Sequence, residues 1–535
     1  MNNLNGSFRY IAFYLAKRGA ILPSYPSAEM EKTEFWEEYM DRRQFLKGSA
    51  AAGALAIGFR HMPAQAANDP FVKLDALGQA ALVKKKEVTP LELVDAAIAR
   101  IERLDGKVNA VVTETFEAAR EEAKAGAGEG AFAGVPYLLK DLNDLKGVRR
   151  TSGSKMLADY VSDWQSPYTD KTLETGLVVL GKSNTPEFGL LATTEPLLLG
   201  ACHNPWDLEH STGGSSGGSA AATAAGMVPF AQSSDGGGSI RIPASCCGLF
   251  GLKPSRGRML EQNKDPMPGD ISVKHVISRS VRDSAALLDL TEVKEGGAFA
   301  PTGNVTDAGT KRLKIAFSMA RYDGSDPDGD VRKAIEETAE LCKGLGHEIV
   351  DVTPPIDGPK FIDHFLTAWA SGPAQLKALV EEKTGKPAAE TGLLEPWTLG
   401  LADFFNAKEG EAMKSALAYF AKVEADIAEF FTGYDVWLTP TLASAPPKIG
   451  EQAPTVDFDT LYERTTTYVA YTPQHNVAGT PAMSVPLSWN ESGLPIGSQF
   501  AAAKGQEGLL LQLAYELEKA QPWMDKWAPY SAVNA

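Results

Sequence analysis

Apolar positions recur along the chain with two different spacings. In "TPLELVDAAIARIERLDGKVNA", Leu91, Val94, Ile98 and Ile101 recur at helical spacing and predict one buried stripe. Thr89 supplies a cap, Pro90 suits the first helical position and Glu92 completes a capping box, with Gly106 as the expected end. Short unbroken apolar runs follow. "AGVPYLLKDL" (133–142) and "GLVVLGKSNTPEFG" (176–189) read as strands, the second leading into a proline turn. "LKIAFS" (313–318), a helical pattern over 329–344 and "HEIVDV" (347–352) form a strand–helix–strand unit, with Gly344 and Gly346 closing the helix. "DVWLTPT" and "AMSVPL" are further strands, and "MSVPLSWNESGLPIGSQFAA" reads as a hairpin closed at Asn490–Gly493. Strands alternating with helices imply one large α/β domain. Its expected centre is a mixed, mainly parallel sheet covered by helices on both faces. The stretch 371–410 is polar and reads as an insertion or lid.

The first 66 residues follow another logic. "DRRQFLKGSAAAGALAIGF" (41–59) has twin arginines, Arg42 and Arg43, ahead of a short, weakly apolar stretch and "AQA" at 64–66. That is the layout of a twin-arginine export signal with a small-residue cleavage site. The apolar stretch is too short to span a bilayer, which needs about twenty residues. Met40 directly precedes the motif and offers a second start. The expected organisation is a leader over 1–66, handled by the twin-arginine export machinery, and a folded domain over 67–535. Export to the periplasm follows for a double-membraned bacterium, with no membrane segment in the mature form. A leader that does not function would leave the chain in the cytoplasm.

Charge narrows the function classes. The 535 residues carry a formal net charge of −16 with no extended basic face, which argues against a nucleic-acid partner. The 4 Cys include adjacent Cys246 and Cys247, and no Cys or His cluster has zinc-ligand spacing.

The candidate chemistry lies in two Gly/Ser-rich stretches. "TGGSSGGSAAATAAG" (212–226) has the composition of a spacer. It runs directly into Ala220–Ala225, however, a run of small helix formers suited to close packing. A serine needs a base to become a nucleophile, and three partnerships fit the letters. Gly213–Gly217 matches G-x-S-x-G, which requires a downstream Asp and a His among His275, His347, His364 and His475. "SGSK" (152–155) with "KTG" (383–385) matches part of the penicillin-recognising serine enzymes, without their middle element. The third is "QSSDGGGSIRIPASCCGLFGLKPSRGR" (232–258), where Ser239 follows Gly236, Gly237 and Gly238. Such a loop can turn successive N–H groups toward one point, as an oxyanion hole requires. Asp235 and Arg241 flank it with opposite charges and can pair to brace it.

Taken together, "GGSSGGSAAATAAGMVPFAQSSDGGGSIRIPASCCGLFGLKPSRGR" (213–258) resembles the signature of the amidase signature family. "AGVPYLLKDL", "GKSNTPEF" (181–188), "NPWDLEHSTGG" (204–214), "WLTPT" (437–441) and "GTPAMSVPL" (479–487) extend the resemblance over most of 70–530. The resemblance implies that family's fold and a Ser–cis-Ser–Lys triad without metal or cofactor. By motif the lysine is Lys140, the relay serine is Ser215 and the nucleophile is Ser239, 24 residues on. The N–H groups of Gly236, Gly237, Gly238 and Ser239 would form the oxyanion hole, and Ser216, Asp235 and Arg241 would support it. Lys140 ends the apolar run "VPYLL", where lost hydration lowers an ammonium pKa and favours a base. The implied activity is hydrolysis of a small-molecule amide through an acyl-enzyme. At subfamily level "FAGVPYLLKDL", "TTEP" (193–196) and "GQEGLLLQLAYELEKAQPW" resemble 6-aminohexanoate cyclic-dimer hydrolases. A general amidase or a peptide C-terminal amidase is the alternative, and an inactive exported binding protein on the same scaffold is the alternative of another class. Segment 360–410, where family members build their substrate walls, diverges.

Overall fold

Helix α1, Pro90–Val108, forms where its caps and stripe place it. Thr89 Oγ1 accepts the Glu92 N–H, and the Glu92 carboxylate accepts the Thr89 N–H in return. Leu93, Val94, Ile98, Ile101 and Leu104 are buried, each worth roughly 1.5–3 kcal/mol. The helix runs through Gly106 and ends two residues later, correcting the expected boundary. Asn109 takes the left-handed conformation (φ 54°), and the Asp105 carboxylate accepts the Ala110 and Val111 N–H groups. One glycine costs a helix only about 1 kcal/mol, too little to stop it.

In this computed structural model the described residues are 69–126, 128–260, 267–353 and 355–535. The leader over 1–66, with Met40 and the twin arginines, lies outside them. The strands are β1 Val111–Glu114, β2 Pro136–Lys140, β3 Val178–Ser183, β4 His203–Asn204, β5 Asp207–Ser211, β6 Phe230–Asp235, β7 Phe250–Lys253, β8 Val273–Ser278, β9 Lys314–Phe317, β10 Glu348–Asp351, β11 Val436–Pro440, β12 Ala482–Trp489 and β13 Pro495–Ala502. A three-stranded sheet runs β1-β3-β2, an eight-stranded sheet runs β10-β9-β11-β13-β12-β7-β8-β6, and β4 pairs with β5.

The large sheet is mixed, as expected, but it is not mainly parallel. Only β9/β10 and β9/β11 are parallel pairs in it; the others are antiparallel. The cause is insertion. Strands β6 and β7 point the same way, but β8 lies between them and pairs antiparallel with both. The β12–β13 hairpin, closed by the Gly493 N–H on the Asn490 carbonyl, enters between β7 and β11. Alternating apolar runs cannot reveal a strand inserted later in the chain.

The helices that position the site are α2 Gly217–Ala224, α3 Arg241–Cys247, α4 Gly329–Gly344, α5 Gly358–Thr384, α6 Pro396–Asn406 and α7 Phe458–Tyr468. Helix α4 and strands β9 and β10 confirm the strand–helix–strand unit. The polar stretch 371–410 is largely helical, made of the end of α5, a single turn at Ala388–Thr391 and α6. Its apolar side packs inward through Leu376, Trp397 and Leu401, so its polarity marks an outer face.

Candidate active site

Strand β2 delivers Lys140 at its last residue, fully buried. Its N–H donates to Gln232 Oε1 on β6, which fixes the backbone beside the second Gly/Ser stretch. Its Nζ donates to Ser215 Oγ at 2.7 Å, Ser216 Oγ at 2.9 Å and Ser234 Oγ at 3.2 Å. The two serine motifs therefore converge on one amine. Burial lowers the Lys140 pKa to about 7, against the opposing pull of the Asp235 charge.

The Gly214–Ser215 peptide is cis. Glycine is required around it because the main chain is crowded. A Cβ at Gly214 would lie 2.6 Å from the Thr193 carbonyl oxygen, and one at Gly217 would meet the Thr194 and Thr212 hydroxyls at 2.3 Å. Helix α2 then begins at Gly217 and is buried along its whole length. The Gly/Ser stretch is packed core and not a spacer.

Ser239 lies in the turn before α3 and retains slight exposure, 7%. Asp235 and Arg241 brace that turn with a buried pair, at 2.9 Å from Nη2 to Oδ1 and 3.0 Å from Nε to Oδ2. Burial works to raise the Asp235 pKa, but the Arg241 guanidinium outweighs it and holds the carboxyl well below its usual range. Arg241 also donates to Gln499 Oε1, Asn476 Oδ1 and the Thr472 carbonyl. Asn476 returns an N–H to Asp235.

One expected oxyanion donor is already committed. The Gly238 N–H donates to Asp235 Oδ1 at 2.8 Å, and the Ile240 N–H donates to Asp235 Oδ2. Gly238 has φ 133°, a conformation open to glycine, which turns its N–H back to the carboxylate. Gly236, Gly237 and Ser239 keep N–H groups without an acceptor among the described residues. Ser216, expected in support, touches the lysine directly. Ser234 does so as well and was missed, since its only sequence signal was its place two residues before the glycines. Trp369 and Phe365 of α5 were also missed: they lie against Gly236 and Gly237.

The competing serine readings find no geometry. His275 pairs with Ser284, His347 with Glu516 and His475 with Thr480, while the His364 ring lies against Tyr419. Lys155 of "SGSK" is exposed, and Gly385 of "KTG" caps the far end of α5. Cys202, Cys246, Cys247 and Cys342 are free and buried.

A family model described as Amidase matches residues 92–511. A second, for the twin-arginine translocation signal, matches 40–57, so the chain carries an export signal. The protein AmiC of Mycobacterium leprae is 39% identical over 462 residues, covering 85% of this chain and 97% of that one. The 6-aminohexanoate-cyclic-dimer hydrolase of Pseudomonas sp. strain NK87 is 37% identical over 478 residues, covering 84% and 95%. A solved structure of 6-aminohexanoate cyclic dimer hydrolase complexed with substrate superposes with a TM-score of 0.79 at 32% identity, covering 87% of this chain and all of that one.

Proposed function

Since the chain belongs to the amidase signature family, and is thus an exported amide hydrolase related to 6-aminohexanoate cyclic-dimer hydrolase, we propose that it works through Ser239, Ser215 and Lys140 by way of an acyl-enzyme, within a mature domain spanning 67–535. Neutral Lys140 takes the Ser215 proton, and Ser215 takes the Ser239 proton as that oxygen attacks the amide carbon. The N–H groups of Gly236, Gly237 and Ser239 receive the oxyanion. Ser215 then protonates the leaving nitrogen as the C–N bond breaks. Water enters the same path in reverse, splits the ester and releases the carboxylic acid.

The observation that carries this reading is the 2.7 Å contact between a buried Lys140 with lowered pKa and Ser215. A lysine kept for charge would hold a carboxylate; this one holds hydroxyls. Resemblance to the cyclic-dimer hydrolases supports a neutral amide of that type as substrate, with a general or peptide C-terminal amidase as the alternative. A fluorophosphonate probe tests the nucleophile. Labelling is expected at Ser239 and lost in Ser239→Ala; labelling that survives the substitution would refute the assignment.

A further inference from the structure

Two cavities meet at Ser239. The larger spans about 630 Å³ and the smaller about 430 Å³, each including space open to solvent. Ser239, Gly189, Leu190 and Trp369 line both, whereas Ser215 and Gly236 line only the smaller and Gly237 only the larger. We propose that the larger cavity holds the acyl group and the smaller the leaving amine, and that the substrates are uncharged N-substituted carboxamides with an aromatic or alkyl acyl group. The proposal rests on Ser215 as the acid of the reading above.

Direction follows from the proton. The leaving nitrogen must come within hydrogen-bond reach of the group that protonates it. Ser215 is that group, and it borders the smaller cavity alone. As Ser239 Oγ bonds to the carbonyl carbon and the C–N bond breaks, the proton travels from Ser239 through Ser215 to the nitrogen. The rest of the acyl group then extends away from Ser215, into the larger cavity.

The walls set the substrate class. Phe361, Phe365 and Trp369 recur every four residues and share one face of α5. Their rings stack in series, with centroids 5.9 Å and 5.6 Å apart at interplanar angles of 12° and 24°. This wall reaches the glycine loop itself: a Cβ at Gly237 would meet the Phe365 ring at 3.1 Å, and one at Gly236 the Trp369 ring at 3.2 Å. Leu191, Ile242 and Val469 add aliphatic surface. The polar side-chain groups of the larger cavity include the neutral hydroxyls of Tyr322 and Thr465, of which Thr465 Oγ1 is buried without a hydrogen-bond partner among the described residues. No charged side chain among the described residues lines either cavity. A carboxylate or ammonium would lose its hydration there with no opposite charge to receive it. The smaller cavity, bordered by Leu142, Phe188 and Ile271, has apolar wall that departing ammonia would leave uncovered.

The mature chain is tested with two substrate series. In the first, the 4-nitroanilides of acetic, hexanoic, benzoic and succinic acids vary the acyl side. In the second, hexanamide, N-butylhexanamide and the hexanamide of β-alanine vary the amine. Hexanoyl and benzoyl anilides are expected to exceed the succinyl anilide at least 100-fold in kcat/KM, and N-butylhexanamide to exceed both other amides at least tenfold. Phe365→Ala should change the benzoyl-to-acetyl ratio at least tenfold and the amine ratios less than threefold; Phe365→Leu is the milder variant if the first folds poorly. Leu142→Ala should do the reverse. Phe365 variants that move the amine ratios instead, or a succinyl anilide as good as the hexanoyl, would overturn the proposal. Fluorophosphonate labelling of Ser239 without cleavage of either series would overturn the substrate class and leave the nucleophile standing. Absence of both would overturn the serine reading, and this proposal with it.

Discussion

Lys140 Nζ lies 2.7 Å from Ser215 Oγ, across 75 residues of chain, with the lysine wholly buried. A base in that position works only when neutral. Burial brings its pKa down to about 7, so the active form is lost as pH falls through that value. The expected kcat/KM profile rises with unit slope up to about pH 7 and is level above it. Lys140→Ala should lower kcat/KM by about 10²–10⁴-fold. Lys140→Arg should not rescue it, because a guanidinium stays charged. Steady-state rates across the pH range check both, and a profile that falls as pH rises through 7 would contradict the base role.

Ser215 as the acid makes a separate claim. An amide needs its leaving nitrogen protonated, whereas a nitrophenyl ester leaves as a stable anion. Ser215→Ala should therefore depress amide turnover by about 10²–10⁴-fold and ester turnover at least tenfold less. Parallel assays on an amide and an ester of the same acid decide this; equal losses would assign Ser215 to activation of Ser239 alone.

The site was more legible in the sequence than the sheet was. Lys140, Ser215 and Ser239 stand in motifs whose letters are constrained by chemistry and by close packing, and the folded chain brings Lys140 into contact with Ser215, which lines one cavity together with Ser239. Strand β8 pairs between β6 and β7 through bonds that no local pattern records, so the sheet's direction was misread. Gly238 was misassigned because three adjacent glycines look equivalent as letters, while the neighbouring Asp235 claims only one of their N–H groups. Trp369 and Phe365 lie more than 120 residues from the glycines they cover, and their helical spacing alone could not reveal what they pack against.

The Asp235–Arg241 pair should matter more to folding than a surface ion pair. Both side chains are fully buried, so Asp235→Asn leaves a guanidinium without its counter-charge. Loss of one partner of such a pair costs about 3–5 kcal/mol, and the Gly238 and Ile240 N–H groups lose their charged acceptor as well. The Asp235 pKa is depressed in the folded chain. Its contribution is therefore fully present above the ordinary carboxylate value and is lost as pH falls from there through the folded value. Urea titrations of wild type and Asp235→Asn at neutral pH measure the difference; a change under about 1 kcal/mol would contradict the brace.

Two glycines separate close approach from mere permissiveness. A Cβ at Gly218 would lie 2.2 Å from the Asn184 nitrogen and 2.7 Å from the Ala110 carbonyl oxygen. Those two atoms already bond to each other at 2.8 Å, and the Gly218 N–H donates to the Asn184 carbonyl. The start of α2 thus rests backbone to backbone against the end of β3. Gly218→Ala must break that seat, at an expected loss of about 3 kcal/mol or more, and it displaces Ser215 and Ser216 just upstream. Gly106, in the last turn of α1, meets nothing within 4 Å and does not adopt a positive φ. Gly106→Ala should stabilise the chain by about 0.5–1 kcal/mol by restricting the unfolded state. Denaturant midpoints of the two variants are expected to move in opposite directions; a Gly218→Ala protein as stable as wild type would show that the Gly/Ser stretch is a pliable segment after all.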